Sequence, residues 1–224
     1  AAGHSLGEYS ALLSTASVGF AKTLLAVKKR GELMQKAVPI GVGSMAALTT
    51  KTKTETFSKD ITRILKESGL NLSVANYNSL SQVVISGKCT DLPVTKDILT
   101  QELSDYKKFR FIPLDVSAPF HSPMMHTIET EYEEYIRNIG LYENGVNLES
   151  VYSNYSSGFY DGTEDDFYEK LKKQISNPVR WTEIMKKVVD NSSECDIILE
   201  IGPKPVLKGM FRTINAEVDF FEGA

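Results

Sequence analysis

Apolar and small side chains recur along residues 20–36 at Phe20, Leu24, Val27, Gly31 and Met34, a four-three-four-three spacing that marks one face of a helix. At about 100° per residue, Lys28 and Lys29 turn away from that stripe. Arg30 falls within about 60° of Val27 and about 40° of Met34 by the same geometry, so a cation flanks the buried side. A shorter helical pattern fills residues 5–18, and Ala37-Val38-Pro39-Ile40-Gly41 ends the second helix. The spacing then alternates between two periods. Strands are predicted at 44–48, 72–76, 82–86 and 109–116, with a loop at 77–81, and helices at 54–67 and 92–106. That order, βαββαβ, is the split-βαβ or ferredoxin-like pattern.

Residues 41–117 are therefore expected to form a ferredoxin-like small subdomain, inserted into a core built from 1–40 and 118–224. In the second half, 122–140 reads as an amphipathic helix with Ile128, Tyr132, Tyr135, Ile136 and Ile139 inward. Residues 146–153 read as a strand, 156–165 as an exposed loop rich in Gly, Ser and Asp, and 166–175 and 182–191 as helices. The apolar run 197–201 before Gly202-Pro203 predicts a buried parallel strand feeding a helix at 206–213. The class is α/β, without internal repeats or low-complexity tracts.

A chain of 224 residues, 42% hydrophobic, is long enough for one core and such an insertion. Its net charge of -4 on a mixed-sign background argues against nucleic acid or a polybasic membrane patch as the partner. No apolar run has the length needed to span a bilayer. Cys89 and Cys195 stand in no metal-ligand spacing and read as buried small side chains.

Gly3-His4-Ser5-Leu6-Gly7 matches G-x-S-x-G, the strained strand-to-helix turn that exposes a nucleophilic serine at a helix N-terminus. The five-residue pattern is common; the longer string Gly-His-Ser-Leu-Gly-Glu-Tyr-Ser-Ala-Leu is far more restrictive. A serine needs a base, and with His4 assigned to the elbow only His121 and His126 remain. His121 ends a predicted strand, where base and structural loop histidine are both open; His126 lies further along and suits a surface or packing role. A zinc site is disfavoured, since these two do not share a helix face and no other ligand set is at hand. Arg30 leaves two readings open, a salt bridge to one of the 29 acids or a clamp for an anionic ligand.

Beyond the elbow, Lys29-Arg30-Gly31-Glu32-Leu33-Met34-Gln35, Asn76-Tyr77-Asn78-Ser79, Gln82-Val83-Val84-Ile85-Ser86-Gly87, Pro119-Phe120-His121-Ser122, Gln174-Ile175-Ser176-Asn177-Pro178-Val179-Arg180-Trp181-Thr182 and Glu200-Ile201-Gly202-Pro203 follow in order. In these motifs the chain resembles the malonyl-CoA:acyl-carrier-protein transacylases and the acyltransferase domains of polyketide synthases, nearly end to end. The resemblance implies an α/β-hydrolase-like core with a parallel sheet. It implies malonyl transfer from malonyl-CoA to the phosphopantetheine thiol of acyl carrier protein, without a cofactor or metal, by a monomer.

It also implies roles. Ser5 would carry the acyl group, with His121 as base and then acid, held by the side-chain carbonyl of Gln174. The Leu6 backbone N–H would supply half an oxyanion hole, and Arg30 would bind the substrate carboxylate. Met34, Met45, Asn78, Val116 and Phe120 would line the acyl pocket, Phe120 and Leu6 in the manner of malonyl-selective members. Relatives carry the second oxyanion donor on a Gly-Gln-Gly loop well before the elbow, so an N-terminal segment is expected to be missing and the chain to be a poor catalyst. Lys172, Lys173, Lys186 and Lys187 are candidates for docking the acidic carrier protein. The likeness to free-standing members implies a bacterial cytoplasm or a plastid. A serine esterase is the first alternative, weakened because esterases place His near the C-terminus; a non-catalytic carrier-docking remnant is the second.

Overall fold

The structure, a computed structural model, describes residues 1–143, 145–192, 197–214 and the backbone of 220–222. Two helices open the chain, α1 (Leu6–Ser14) and α2 (Phe20–Lys36). The sheet unit follows: β1 (Gly43–Thr49), α3 (Glu55–Ser68), β2 (Leu72–Ser79), β3 (Gln82–Lys88), α4 (Leu92–Glu102) and β4 (Arg110–Pro113). Thr54 caps α3 by accepting from the Thr56 N–H, and Gly69 ends it in the left-handed region, so both boundaries are written in local chemistry. The strands run in the order β2-β3-β1-β4, every pair antiparallel.

Alternation splits the sheet's two faces. Ala46, Leu48, Val74, Val83 and Ile85 pack against Phe57, Ile61, Ile64 and Leu65 of α3 and Leu99 of α4. Met45, Ala47, Ala75 and Val84 face the other way, toward Leu114, Val116 and Phe120. The expected loop at 77–81 is shorter than that: β2 runs to Ser79 and turns into β3 at Gln82. Register shifts in the β2–β3 ladder lie between Val74 and Asn76 and between Tyr77 and Ser79, leaving Ala75 and Asn78 as extra residues.

The remaining helices are α5 (Glu129–Asn138), α6 (Glu164–Gln174), α7 (Trp181–Asp190) and α8 (Leu207–Ile214), with strands β5 (Ile198–Glu200) and β6 (Phe220–Glu222). α1, α2, α5 and α6 enclose one core around Tyr9, Leu12, Leu33, Tyr132 and Phe167. Trp181, Ile184, Met185 and Phe211 form a second around α7 and α8.

Several expectations are corrected. The stripe Phe20, Leu24, Val27, Gly31 and Met34 is not the buried face of α2: Phe20, Leu24 and Gly31 are exposed, and Thr23, Ala26, Arg30, Leu33 and Met34 are buried, because the neighbouring helices and not the spacing decide which side is covered. The helix over 122–140 begins as a 3-10 helix, Pro123–Ile128; three residues per turn stack Met125 above Ile128, and both are buried. Residues 146–153 hold a 3-10 turn at Leu148–Ser150 and a single bridge from Tyr152 to Phe159. The loop 156–165 is not exposed throughout: Tyr160 is buried in the helical core against Phe167, and Ser157 is buried where it donates to Glu183, neither of which the spacing could reveal. β5 is parallel to β6, yet Ile197, Leu199 and Ile201 are exposed, because two described strands cannot cover both faces of one another. Cys89 is half-buried, its Sγ donating to Gly41 O at 2.7 Å, and Cys195 lies outside the described residues.

Candidate active site

Ser5 precedes α1 with φ 51° and ψ -104°, a conformation that costs a residue with a Cβ about 1–3 kcal/mol. Its neighbours hold it there. The Ser5 N–H donates to Asn154 Oδ1 at 2.6 Å, while Asn154 Nδ2 donates to Gly3 O at 2.8 Å. Gly3 is required, since a Cβ there would stand 1.8 Å from Gly7 O. Leu6 begins α1, so its N–H is among the first-turn donors that lack an intrahelical acceptor.

His121 sits in the loop between β4 and the 3-10 helix, buried and at φ 56°. Gly43 at the start of β1 lets this loop pack close, because a Cβ there would lie 2.3 Å from Pro119 Cδ. His121 Nε2 is 2.7 Å from Ser5 Oγ, and Nδ1 is 2.8 Å from the main-chain O of Gln174. A carbonyl only accepts. Nδ1 therefore carries the proton, Nε2 presents its lone pair, and the Ser5 hydroxyl donates to it. Burial, and then the charge of Arg30, push the imidazole pKa down to about 3, which keeps it in the neutral form that can take a proton.

The expected side-chain carbonyl of Gln174 is not what holds His121; the main chain does. The Gln174 side chain is buried and turned away, its Nε2 donating to Glu8 Oε2 at 2.6 Å and to Ser5 O at 3.1 Å. A buried carboxylate is the stronger acceptor for that amide, and Oε1 is left without a protein partner. Glu8 also receives the Tyr160 hydroxyl and the Asn154 N–H, the latter at 3.0 Å. Burial raises the Glu8 carboxyl pKa, and these donors oppose the rise. Glu8, Asn154 and Tyr160 carried no periodic signal; only the acid three residues after Ser5, in the first turn of α1, was visible.

Arg30 reaches the same point from α2. One guanidinium nitrogen donates to Ser5 Oγ at 3.0 Å, the group lies 5.7 Å from the Tyr9 ring centroid, and Nε is buried without a partner. No ion pair to Arg30 occurs among the described residues, so the salt-bridge reading has no acid to rest on. A desolvated cation with spare donors beside a nucleophile is a seat for an anion.

The other named residues divide. Met45, Val116 and Phe120 lie together on the site-facing side of the sheet, with Phe120 also touching the helical core. A groove of about 760 Å³ opens along Val116 and Phe120, walled by Ile40, Ser44 and Asp115. Met34 belongs to the helical core instead. Asn78, the bulged residue of β2, accepts from His4 Nε2 at 2.8 Å, and the His4 ring meets Trp181 edge-on at 5.7 Å. Burial lowers the His4 pKa. His126 is half-exposed and bonds Glu129 at 2.7 Å, as suits a surface role.

A larger groove, about 850 Å³ between α3 and α7, is lined by none of Ser5, Arg30, His121 or Gln174. The four lysines considered for docking are already engaged. Lys172 pairs with Glu133 and Glu169, Lys173 with Glu129 and Lys186 with Glu55, while Lys187 donates to Ser157 O. Among the described residues no cluster of His, Cys, Asp and Glu could hold a metal ion, and no helix is long and apolar enough to cross a membrane.

The family model of the acyl transferase domain matches residues 1–219. A malonyl CoA-acyl carrier protein transacylase of Bacillus subtilis is 34% identical over 214 residues, a match covering 96% of this chain but 64% of that protein, so the chain spans less than two thirds of that relative's length. The crystal structure of a malonyl CoA-acyl carrier protein transacylase from Clostridium perfringens superposes with a TM-score of 0.83 at 31% identity, covering 99% of this chain and 66% of that one. A type II PKS acyl-carrier protein in complex with its malonyl-transacylase gives 0.85 at 31%, covering 99% and 68%. With a serine elbow, a tautomer-fixed histidine and motifs that align over nearly its whole length, the chain belongs to the acyl transferase domain family.

Proposed function

We propose that this chain transfers a malonyl group from malonyl-CoA to the phosphopantetheine thiol of acyl carrier protein through an ester on Ser5. Ser5 Oγ attacks the thioester carbonyl while its proton passes to His121 Nε2; coenzyme A leaves as the thiol, taking that proton. In the second half the carrier thiol gives its proton to His121 and attacks the ester, and Ser5 recovers the proton. The Leu6 N–H faces the developing oxyanion. Gln174 holds the imidazole tautomer, Arg30 pairs with the malonyl carboxylate, and Met45, Val116, Phe120 and Asn78 bound the acyl group. Every proton and bond in this scheme is handled by side chains, substrate and product, with no cofactor.

The carrying observation is the Arg30 guanidinium, 3.0 Å from Ser5 Oγ and without an acid among the described residues. A site built for neutral acyl chains gains nothing from a buried cation there. The names of the relatives support the same substrate and partner. The reading extends to architecture: an α/β-hydrolase-like core from 1–40 and 118–224, and a ferredoxin-like subdomain from 41–117, supported by the antiparallel order β2-β3-β1-β4. Labelled malonyl-CoA tests it. A malonyl ester on Ser5 is expected, reduced at least about a hundredfold in Arg30→Ala, since a charge-assisted bidentate pair is lost. Equal labelling by acetyl-CoA, or undiminished labelling of Arg30→Ala, would overturn it.

A further inference from the structure

We propose that Glu8 is a positioning residue of this site: its buried carboxylate clamps the Gln174 side chain and thereby fixes the main-chain carbonyl that orients His121. The inference deepens the acyl-transfer reading and rests on Ser5 and His121 being its reacting pair. In a hydrolase triad a carboxylate touches the imidazole directly. Here the contact is a carbonyl on the last residue of α6, one of the helix-end groups that have no intrahelical donor. Such a group is placed by tertiary contacts and not by the helix ladder, and a carbonyl that shifts cannot hold a ring in one tautomer. What pins Gln174 is the other end of the residue, where Nε2 bonds Glu8 Oε2 at 2.6 Å and Ser5 O at 3.1 Å.

Glu8 is fully buried, and its described side-chain partners, the Tyr160 hydroxyl, the Gln174 amide and the Asn154 N–H, are placed to donate, which suits an acceptor-only carboxylate. Asn154 in turn accepts from the Ser5 N–H. One carboxylate thus joins the support of the nucleophile to the support of the base, groups 116 residues apart in the chain. Fold stability does not call for it: a buried acid is costly to desolvate, and an apolar side chain of similar volume packs without that cost.

The test uses the whole chain with Glu8→Leu, Gln174→Met, the double variant and Glu8→Gln. Gln174→Met keeps the main-chain carbonyl and most of the volume, and it carries the test where Glu8→Leu does not fold. Each single clamp variant is expected to lower kcat by about 10–100-fold, the scale of a small misplacement of a reacting group, with KM for malonyl-CoA within about twofold. The double variant is expected to be no worse than either, because both remove one link. Glu8→Gln, which can still accept from Gln174 and Asn154, retains most of the rate. Nitrogen-resolved NMR of histidine-labelled protein supplies a readout that needs no activity: His121 protonated at Nδ1 alone in the unsubstituted chain, and a tautomer mixture in the clamp variants. A single Nδ1–H tautomer in Gln174→Met, or additive losses in the double variant, overturns the clamp. A tautomer lost as expected, in a protein that forms no malonyl ester, upholds the clamp and removes the acyl-transfer reading.

Discussion

The four-stranded sheet and the helical half around Ser5 bury their residues for opposite reasons. In the sheet unit the α3 and α4 face is closed mainly by apolar side chains, Leu48, Ile61, Val83, Ile85 and Leu99 among them, and a pattern of alternate positions is enough to build it. In the helical half, Glu8, Arg30, His121 and Gln174 are buried within the apolar packing. All four make specific hydrogen bonds, while Arg30 Nε and Gln174 Oε1 remain without a partner. Apolar burial is non-directional and tolerates many arrangements, whereas a buried polar group tolerates the few that satisfy it. One half is therefore a support whose details can vary, and the other is a fixed constellation.

The largest way to break that contrast is Ser5→Ala. Transfer is expected to fall by about four orders of magnitude or more, while urea unfolding shifts by under about 1 kcal/mol, because the hydroxyl serves chemistry and not packing. Leu48→Ala inverts the pattern. It should cost about 2–5 kcal/mol of stability and leave kcat of the folded fraction within about twofold. A comparable loss of kcat would show that the sheet also tunes the site.

A pH series sharpens the polar side. His121 has a folded pKa of about 3, below the roughly 6.5 of the unfolded chain, so between those values the unfolded chain holds a proton that the folded one does not. Stability from this group consequently rises with pH, and is lost as pH falls from about 6.5, by up to about 1.4 kcal/mol per unit. Unfolding free energies of His121→Gln measured from pH 7 to pH 4 are expected to fall less steeply than those of the unsubstituted chain; equal slopes would refute the buried neutral imidazole. The smallest effect is at the lysines. Since Lys186 is partnered by Glu55 and half-exposed, Lys186→Glu is expected to change KM for carrier protein by less than about twofold and stability by under about 1 kcal/mol.

Much of the sheet unit was legible from spacing, because strand and helix periods act over a few residues and Thr54 and Gly69 mark their ends locally. The helical half was legible only in part. Ser5 announced itself through the elbow; the stripe beside which Arg30 was placed is largely exposed, and Arg30 itself lies on the buried face with Thr23, Ala26, Leu33 and Met34. The loop that supplies Asn154 and Tyr160 read as exposed, and the run 197–201 read as buried; both failed because burial there depends on what lies opposite, not on the segment itself. The ion pairs of the four lysines considered for docking were likewise not legible, as acids from α3, α5 and α6 meet three of them.

By itself the sequence determined the nucleophile, the order βαββαβ, and the presence of one histidine and one arginine suited to serve Ser5. Tertiary structure alone decided how they are held. Whether Gln174 offers its side chain or its main chain to His121 turns on Glu8, 166 residues away, whose carboxylate takes the amide and leaves the backbone carbonyl for the imidazole. A hydrogen bond is made by the groups that finally meet, and no periodicity along the chain encodes which face of a residue will be met.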